Sequence, residues 1–349
     1  MKNLKKSALC VALLCFLSIG LLFAQGQKIS QDPIKTRTFV DDLGREIEVP
    51  EKITKLAPAG NPANVVLLTI RPELMVGLSE KPADTHYFGD KLNGIPEFGA
   101  FYGKKANLNK EAVINAAPQI IIDIGEIKGS TSDMSADLNN LQKTLGIPIV
   151  FVENYLKNSA QTYRTLGTLL KEEKRGEELA LYSEEAIAFA NKVRSQIKNP
   201  KTYYFSESAD GLEGLPKNSF KVEVFELLGA NNIVEKSISN GSNQISLEQI
   251  LLKNPDYVFL SDPQAFKLVT SPNSPWRHLN AVKNKHVYLV PKNLYGWIAD
   301  PPSINRLLGI YYVAGIMYPE IAKVDIREEA KKYYKLFYNY NLKDSEIKL

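Results

Sequence analysis

Glu111–Pro118 reads EAVINAAP and runs into QIIID at 119–123, while Glu248–Pro255 reads EQILLKNP and runs into DYVFL at 256–260. In both stretches the Glu stands seven positions ahead of the Pro (111 to 118, 248 to 255). A carboxylate suits the positive end of a helix, and a proline pushes the residue before it away from helical geometry. Each stretch therefore reads as a helix, a turn and a buried strand. One such unit is common in α/β proteins. Two copies, one per half, point to two equivalent lobes.

The flanking sequence repeats the same rhythm. Thr38–Pro50 (TFVDDLGREIEVP) alternates about Asp42-Leu43-Gly44 and predicts a β-hairpin. Strands are expected at 53–57, 75–78, 120–124 and 149–152, interleaved with helices at 63–69, 110–116 and 134–145. Beyond Pro200 come strands at 202–206, 257–261 and 287–290, with helices at 222–228, 247–252, 303–317 and 326–338. Strands alternating with helices imply parallel sheets. Between the halves, Leu166, Leu169 and Leu170 form one stripe, and Leu179, Tyr182, Ala186, Phe189, Val193 and Ile197 extend it at helical spacing. The charged run KEEKRGEE around Gly176 predicts a break into a short and a long helix, and Asn199-Pro200 ends the second. This gives an amino-terminal α/β lobe at 36–157, a stiff helical connector at 158–199, a second α/β lobe at 200–318 and a helical segment at 319–349.

Composition narrows the class. Of 349 residues, 43 are Lys or Arg and 39 Asp or Glu, a formal charge of +4 that is too small for a nucleic-acid binder. Lys2, Lys5 and Lys6 precede an apolar run from Ser7 to Ala24, the pattern of a secretory signal peptide at 1–24. Export with cleavage after Ala24 or Gly26 is expected, in preference to an anchor or to lipid attachment at Cys10 or Cys15. Loss of the three lysines leaves a side-chain charge of about +1. Both cysteines lie in the leader, so the exported chain has no disulfide and no thiol nucleophile.

Several segments resemble the periplasmic substrate-binding proteins of the iron-chelate and vitamin B12 class of ABC importers. They are DxLGRxIxVP at 41–50 with the strand KITKLAP, Asn107–Pro118, LGTLLKEE at 166–173, WRHL and AVKNKHVY at 276–288, and WIADPPSINRLLG at 297–309. The last is similar to a segment of a subgroup that includes molybdate or tungstate binders. The resemblance implies an α/β fold of two Rossmann-like lobes joined by a long rigid interlobe helix, the class III periplasmic binding protein arrangement. It also implies ligand in the cleft between the lobes, periplasmic localisation through a Sec signal, and no enzymatic activity. The implied partner is an ABC importer permease dimer with its ATPase subunits, served by a monomer. Docking in this family uses one acidic residue per lobe, which by motif position are Glu111 and Glu248. The plainer alternative for both is a favourable charge at a helix start, contributing under about 1 kcal/mol each.

Ligands of doubly wound sheets sit beyond the carboxyl ends of strands. The corresponding loops are 59–61, 86–87, 101–102, 125–126 and 154–155 in the first lobe, and 208–211, Asp262 and 295–300 in the second. Asn61, Tyr87, Tyr102, Tyr155, Tyr295 and Trp297 fall in or beside them, with Trp297 in a loop of no periodicity that would bury it. His86 is a candidate metal ligand through a neutral imidazole, against the plainer reading of a solvent-facing loop residue. Arg306 is a candidate partner for an anionic ligand, or else a brace for a neighbouring loop. Three dispersed histidines argue against a bare zinc or manganese site. The cargo expected first is a small-molecule metal complex, a ferric siderophore-type or other chelate of iron or nickel. Molybdate or tungstate, held by helix N-termini at 59–61 and 302–305, comes second; cobalamin or haem comes third.

Enzyme motifs are weak. GAFYGKK at 99–105 is one residue short of a phosphate loop and lacks its Ser/Thr. No dinucleotide fingerprint, GxSxG elbow or HExxH occurs. An exported chelatase or hydrolase on a related bilobal scaffold is the alternative of a different class.

Overall fold

The computed structural model describes residues 35–101, 106–235 and 243–349. The expected leader at 1–24 and the candidate Tyr102 lie outside the described residues.

The chain opens with the hairpin β1 (Thr36–Val40) and β2 (Glu46–Pro50), paired in register from Thr36 opposite Pro50 to Val40 opposite Glu46. Gly44 takes a positive φ of 76° in the turn, the conformation that glycine adopts without strain. The Asp41 carboxylate holds that turn together. It accepts from the Leu43 and Arg45 backbone N–H groups and pairs with the Arg45 guanidinium at 2.6 Å.

Next come β3 (Leu56–Pro58), α1 (Asn61–Ile70), α2 (Lys110–Ala116), β4 (Ile120–Gly125), α3 (Thr131–Leu145) and β5 (Ile149–Glu153). The three strands form a parallel sheet in the order β3–β4–β5. Both faces are covered, so the strands are mostly apolar, with Asp123 the exception within β4. Alternation sends Ile120, Ile122, Ile124, Val150 and Val152 to one core, and Ile121, Ile149 and Phe151 to another beneath Val113, Met134 and Leu138. The strand expected at 75–78 makes only single bridges, at Met75 and Leu78.

The connector is α4 (Ser159–Leu170) followed by α5 (Glu173–Gln196). The break falls at Lys171, whose φ is 57°, and not at Gly176. Gly176 sits inside α5 for a packing reason. A Cβ there would lie 2.6 Å from the Tyr163 carbonyl oxygen and 3.0 Å from the Gly167 Cα. The two glycines let the antiparallel helices touch backbone to backbone.

The second lobe has β6 (Thr202–Ser206), α6 (Glu223–Leu227), α7 (Leu247–Lys253), β7 (Tyr257–Leu260), α8 (Pro263–Thr270) and β8 (Val287–Leu289). Its sheet has a parallel centre in the order β8–β7–β6, continued by Asn231–Asn232 beside β6. Two further helices close the chain, α9 (Arg306–Met317) and α10 (Ile326–Tyr338). Here the structure adds something. α10 packs on α1, and its Phe337 and Tyr338 rings meet Tyr163 and Phe88 edge-on at 6.0 and 5.6 Å. One continuous cluster of buried residues thus runs from β2 and β4 through both connector helices to β6, α9 and α10.

Candidate functional site

A cleft of about 1070 Å³ opens at the carboxyl ends of β3, β4 and β5. The first lobe contributes the turn 59–62 into α1, residues 79–83 and 97–100, the loop 123–129 beyond β4, and Asn154 beyond β5. Opposite stand Phe220, Lys221, Lys292, Leu294, Tyr295 and the turn 299–302. Carboxylates and lysines line the space together.

Two carboxyls at the carboxyl end of β4, Asp123 in the strand and Glu126 just beyond it, are the least settled groups. Burial pushes Asp123 up to about 6, against the pull of Lys128 and Arg45. Burial also pushes Glu126 up to about 7; Arg306 and Lys128 oppose this and the Glu223 carboxylate adds to it. On the facing lobe each cation has its own anion. Lys292 Nζ lies 2.5 Å from Asp300, and Lys221 pairs with the half-buried Glu207. Across the cleft mouth, Asn61 Nδ2 donates to Glu80 at 3.0 Å.

Two helix starts lie beside one another behind the turns 59–62 and 299–302. α1 begins at Gly60 with no side-chain cap, and α9 begins at Asn305, also without one. Ser303 Oγ donates to the Pro62 carbonyl at 3.3 Å and joins the two turns across the lobes. Asn305 donates instead to the Gly296 carbonyl.

The residues expected from sequence separate into three groups. Asn61 and Tyr295 line the cleft. Tyr155 is half-buried beside the 126–127 loop, where burial and the Glu126 carboxylate hold its hydroxyl above the usual range. The others lie elsewhere. His86 and Tyr87 pack against the carboxyl-terminal segment: His86 pairs with Asp84, approaches Glu346 at 3.2 Å, lies tilted against the Tyr87 ring and meets Tyr340 edge-on. Among the described residues no group of three or more His, Cys, Asp or Glu side chains is arranged to hold a metal ion.

Trp297 is buried, with its ring edge-on to Tyr312 at 5.7 Å. The loop that lacks periodicity is covered by α9, whose Gly309 leaves room for the Trp297 carbonyl where a Cβ would stand 2.2 Å away. Arg306 is also buried and its guanidinium is occupied. It donates to the Ser303 and Phe220 carbonyls at 3.0 and 2.7 Å and to Glu223 at 2.5 Å. Glu223 in turn accepts from the Leu156 backbone N–H at 3.4 Å, where the first lobe enters the connector. Arg306 therefore braces the junction. Glu223 was missed in the sequence, although a buried arginine calls for a counter-charge. Asp123 carried a signal too, as the one acid in the apolar run IIID.

Glu111 and Glu248 both stand exposed in the first turns of α2 and α7. Asn109 caps α2, accepting from Ala112 N–H. Ser246 and Gln249 form a reciprocal capping box on α7. Backbone N–H at the helix start, with the Ser246 hydroxyl, holds the Glu248 carboxyl below the usual range.

Residues 89–294 match a family model described as periplasmic binding protein. The molybdate-binding protein MolA of Haemophilus influenzae is 22% identical, over 90% of this chain and 94% of its own. The high-affinity haem uptake system protein IsdE of Staphylococcus aureus is 21% identical, over 72% of this chain and 85% of its own. Among solved structures, an ABC transporter solute binding protein from Sulfurospirillum deleyianum superposes with a TM-score of 0.81. It is 26% identical, with 89% of this chain and 97% of that one covered.

Proposed function

The chain belongs to the periplasmic binding protein family, and on that premise we propose that it captures a metal complex between its lobes and hands it to an ABC importer. The lobes are read as 36–157 and 200–318, the connector as 158–199, and the site of action as the periplasm. The observation that carries this reading is the cleft itself. At about 1070 Å³ it suits an organic chelate far better than a four-oxygen anion. Its mixture of Glu80, Asp123 and Glu126 with Lys221 and Lys292 suits a complex bearing both donors and acceptors. A haem-uptake relative and a molybdate-binding relative are consistent with metal cargo in this family. Among the residues expected from sequence, Asn61 and Tyr295 are retained as ligand contacts. Glu111 and Glu248 are retained as the docking carboxylates for the permease.

One observation favours a second reading, an oxyanion such as molybdate. The start of α1 at Gly60 and Asn61 lines the cleft without a side-chain cap, and backbone N–H groups at a helix start attract anions, whereas at the start of α9 the Arg306 and Leu307 N–H groups already donate to the Ser303 and Ile304 carbonyls. Native mass spectrometry with elemental analysis, on protein purified without chelators, separates the two. An adduct of several hundred daltons with iron, nickel or cobalt is expected. Molybdenum or tungsten without an organic adduct would replace the chelate by the oxyanion. Product formed over repeated turnovers would replace transport by catalysis. Whichever ligand binds, about 100 times its Kd should raise stability by about 2.7 kcal/mol.

A further inference from the structure

α2 and α7 do more than repeat a glutamate. Among the described residues only six large hydrophobic side chains stand well out in solvent: Val40, Ile114, Leu181, Leu252, Leu268 and Leu349. Two of these lie one helical turn beyond the twin carboxylates. Ile114 is 59% exposed and follows Glu111 by three positions; Leu252 is 86% exposed and follows Glu248 by four. Residues three or four apart share a helix face, so each lobe shows solvent a carboxylate with an apolar side chain beside it.

Neither helix needs these side chains for packing. α2 is held to the first lobe by Val113, with Ala112 and Ala116 against the same core, and α7 to the second by Ile250 with Leu247 and Leu251. A single exposed leucine is ordinary and calls for no explanation. The repetition is not ordinary. In each unit an exposed apolar side chain follows the carboxylate within one helical turn, by three positions in α2 and four in α7, and among the described residues neither Glu111 nor Glu248 is in an ion pair.

We infer that Ile114 and Leu252 are the apolar anchors of a two-point docking surface, each seated in an apolar depression beside a cation on one of two like subunits of the membrane permease. The inference rests on the docking reading of Glu111 and Glu248 and divides the work between the two residue types. Exposed carboxylates act over a Debye length and set how fast the partners meet. Desolvated apolar anchors act only in contact and set how long the complex lasts. A partner with two like subunits meets a chain with two like units, so each anchor has its counterpart.

The test is association kinetics, by biolayer interferometry, of the ligand-free protein on its own organism's permease–ATPase complex in nanodiscs. Runs at about 50 and about 300 mM salt expose the electrostatic part. The double variant Ile114→Ser, Leu252→Ser should associate within about twofold of wild type and dissociate about tenfold faster or more. The double variant Glu111→Gln, Glu248→Gln should associate about tenfold more slowly at low salt, with the deficit shrinking at high salt. The Ser variant should melt like wild type, because Ile114 and Leu252 are in solvent, and the Gln variant only slightly below it, because it loses a charge at each helix start. Wild-type dissociation of the Ser variant, with slowed association of the Gln variant, would overturn the anchors and leave the docking carboxylates standing. Wild-type association of the Gln variant at both salts would overturn the docking reading itself.

Discussion

Both lobes place acids near the carboxyl ends of their strands and use them differently. In the first lobe Asp123 and Glu126 are carried to the cleft wall and held at about 6 and about 7 by burial. In the second lobe Asp262 turns back on its own helix and accepts from the Gln264 and Ala265 N–H groups at 2.6 and 3.3 Å, capping α8. Glu223 and Glu207 pair with Arg306 and Lys221. One lobe therefore keeps acids that change charge near neutrality, while the other binds its acids into the scaffold. What each acid does follows from its surroundings: burial raises Asp123 and Glu126, while a helix start and two cations hold Asp262, Glu223 and Glu207.

The sharpest break of this contrast is Arg306→Ala. It strips the counter-charge from Glu223 at the lobe junction, beside Glu126. Removing one member of a buried pair costs about 3–5 kcal/mol, read as a lower urea midpoint. A loss under about 1 kcal/mol would mean that ion pairing does not hold the second lobe's acids.

Glu126→Gln comes next, and its effect depends on pH. The folded chain holds the Glu126 proton more tightly than an unfolded chain, whose carboxyl titrates near 4.5. Folding stability is therefore fullest below that value and falls as pH rises from 4.5 through about 7. The glutamine variant escapes this loss. It should be about 1–2 kcal/mol more stable than wild type at pH 8, allowing for partial solvation, and equal to it at pH 4. Equal stability at both pH values would place the first lobe's acid in the same class as the second's.

The smallest effect is expected from Asp262→Ala, which removes one cap and should cost about 1 kcal/mol. Because Asp262 serves α8 and not the cleft, its variant should bind ligand with wild-type affinity. A changed affinity would blur the contrast between the lobes.

Local chemistry explains what could be read from the sequence. The bounds of α2, β6 and α10 agree with those expected at 110–116, 202–206 and 326–338, and the structure shows Asn109 and Asp325 capping the two helices. The connector's break falls within the charged run that predicted it, at Lys171, and not at Gly176. Gly176 carries a local helix-breaking signal, yet what selects glycine there is the approach of Gly167 and Tyr163 from another helix. Trp297 and Arg306 fall in the same class. Their burial comes from α9 and from Glu223, contacts that no periodicity in the 295–306 loop announces. His86 and Tyr87 sit in a loop beyond a strand region, but the last residues of the chain cover them. Asn61 and the Glu126 loop were legible because the rule that placed them depends only on strand direction.

The return of α10 to the first lobe bears on the order in which the protein can mature. Phe337 and Tyr338 complete the packing around Tyr163 and Phe88, so the first lobe's core lacks one wall until residues 326–338 arrive. A chain emerging amino terminus first therefore has its opening third at hand long before that third can close. Closure of that core is therefore tied to the end of synthesis, when the carboxyl-terminal helix becomes available to pack.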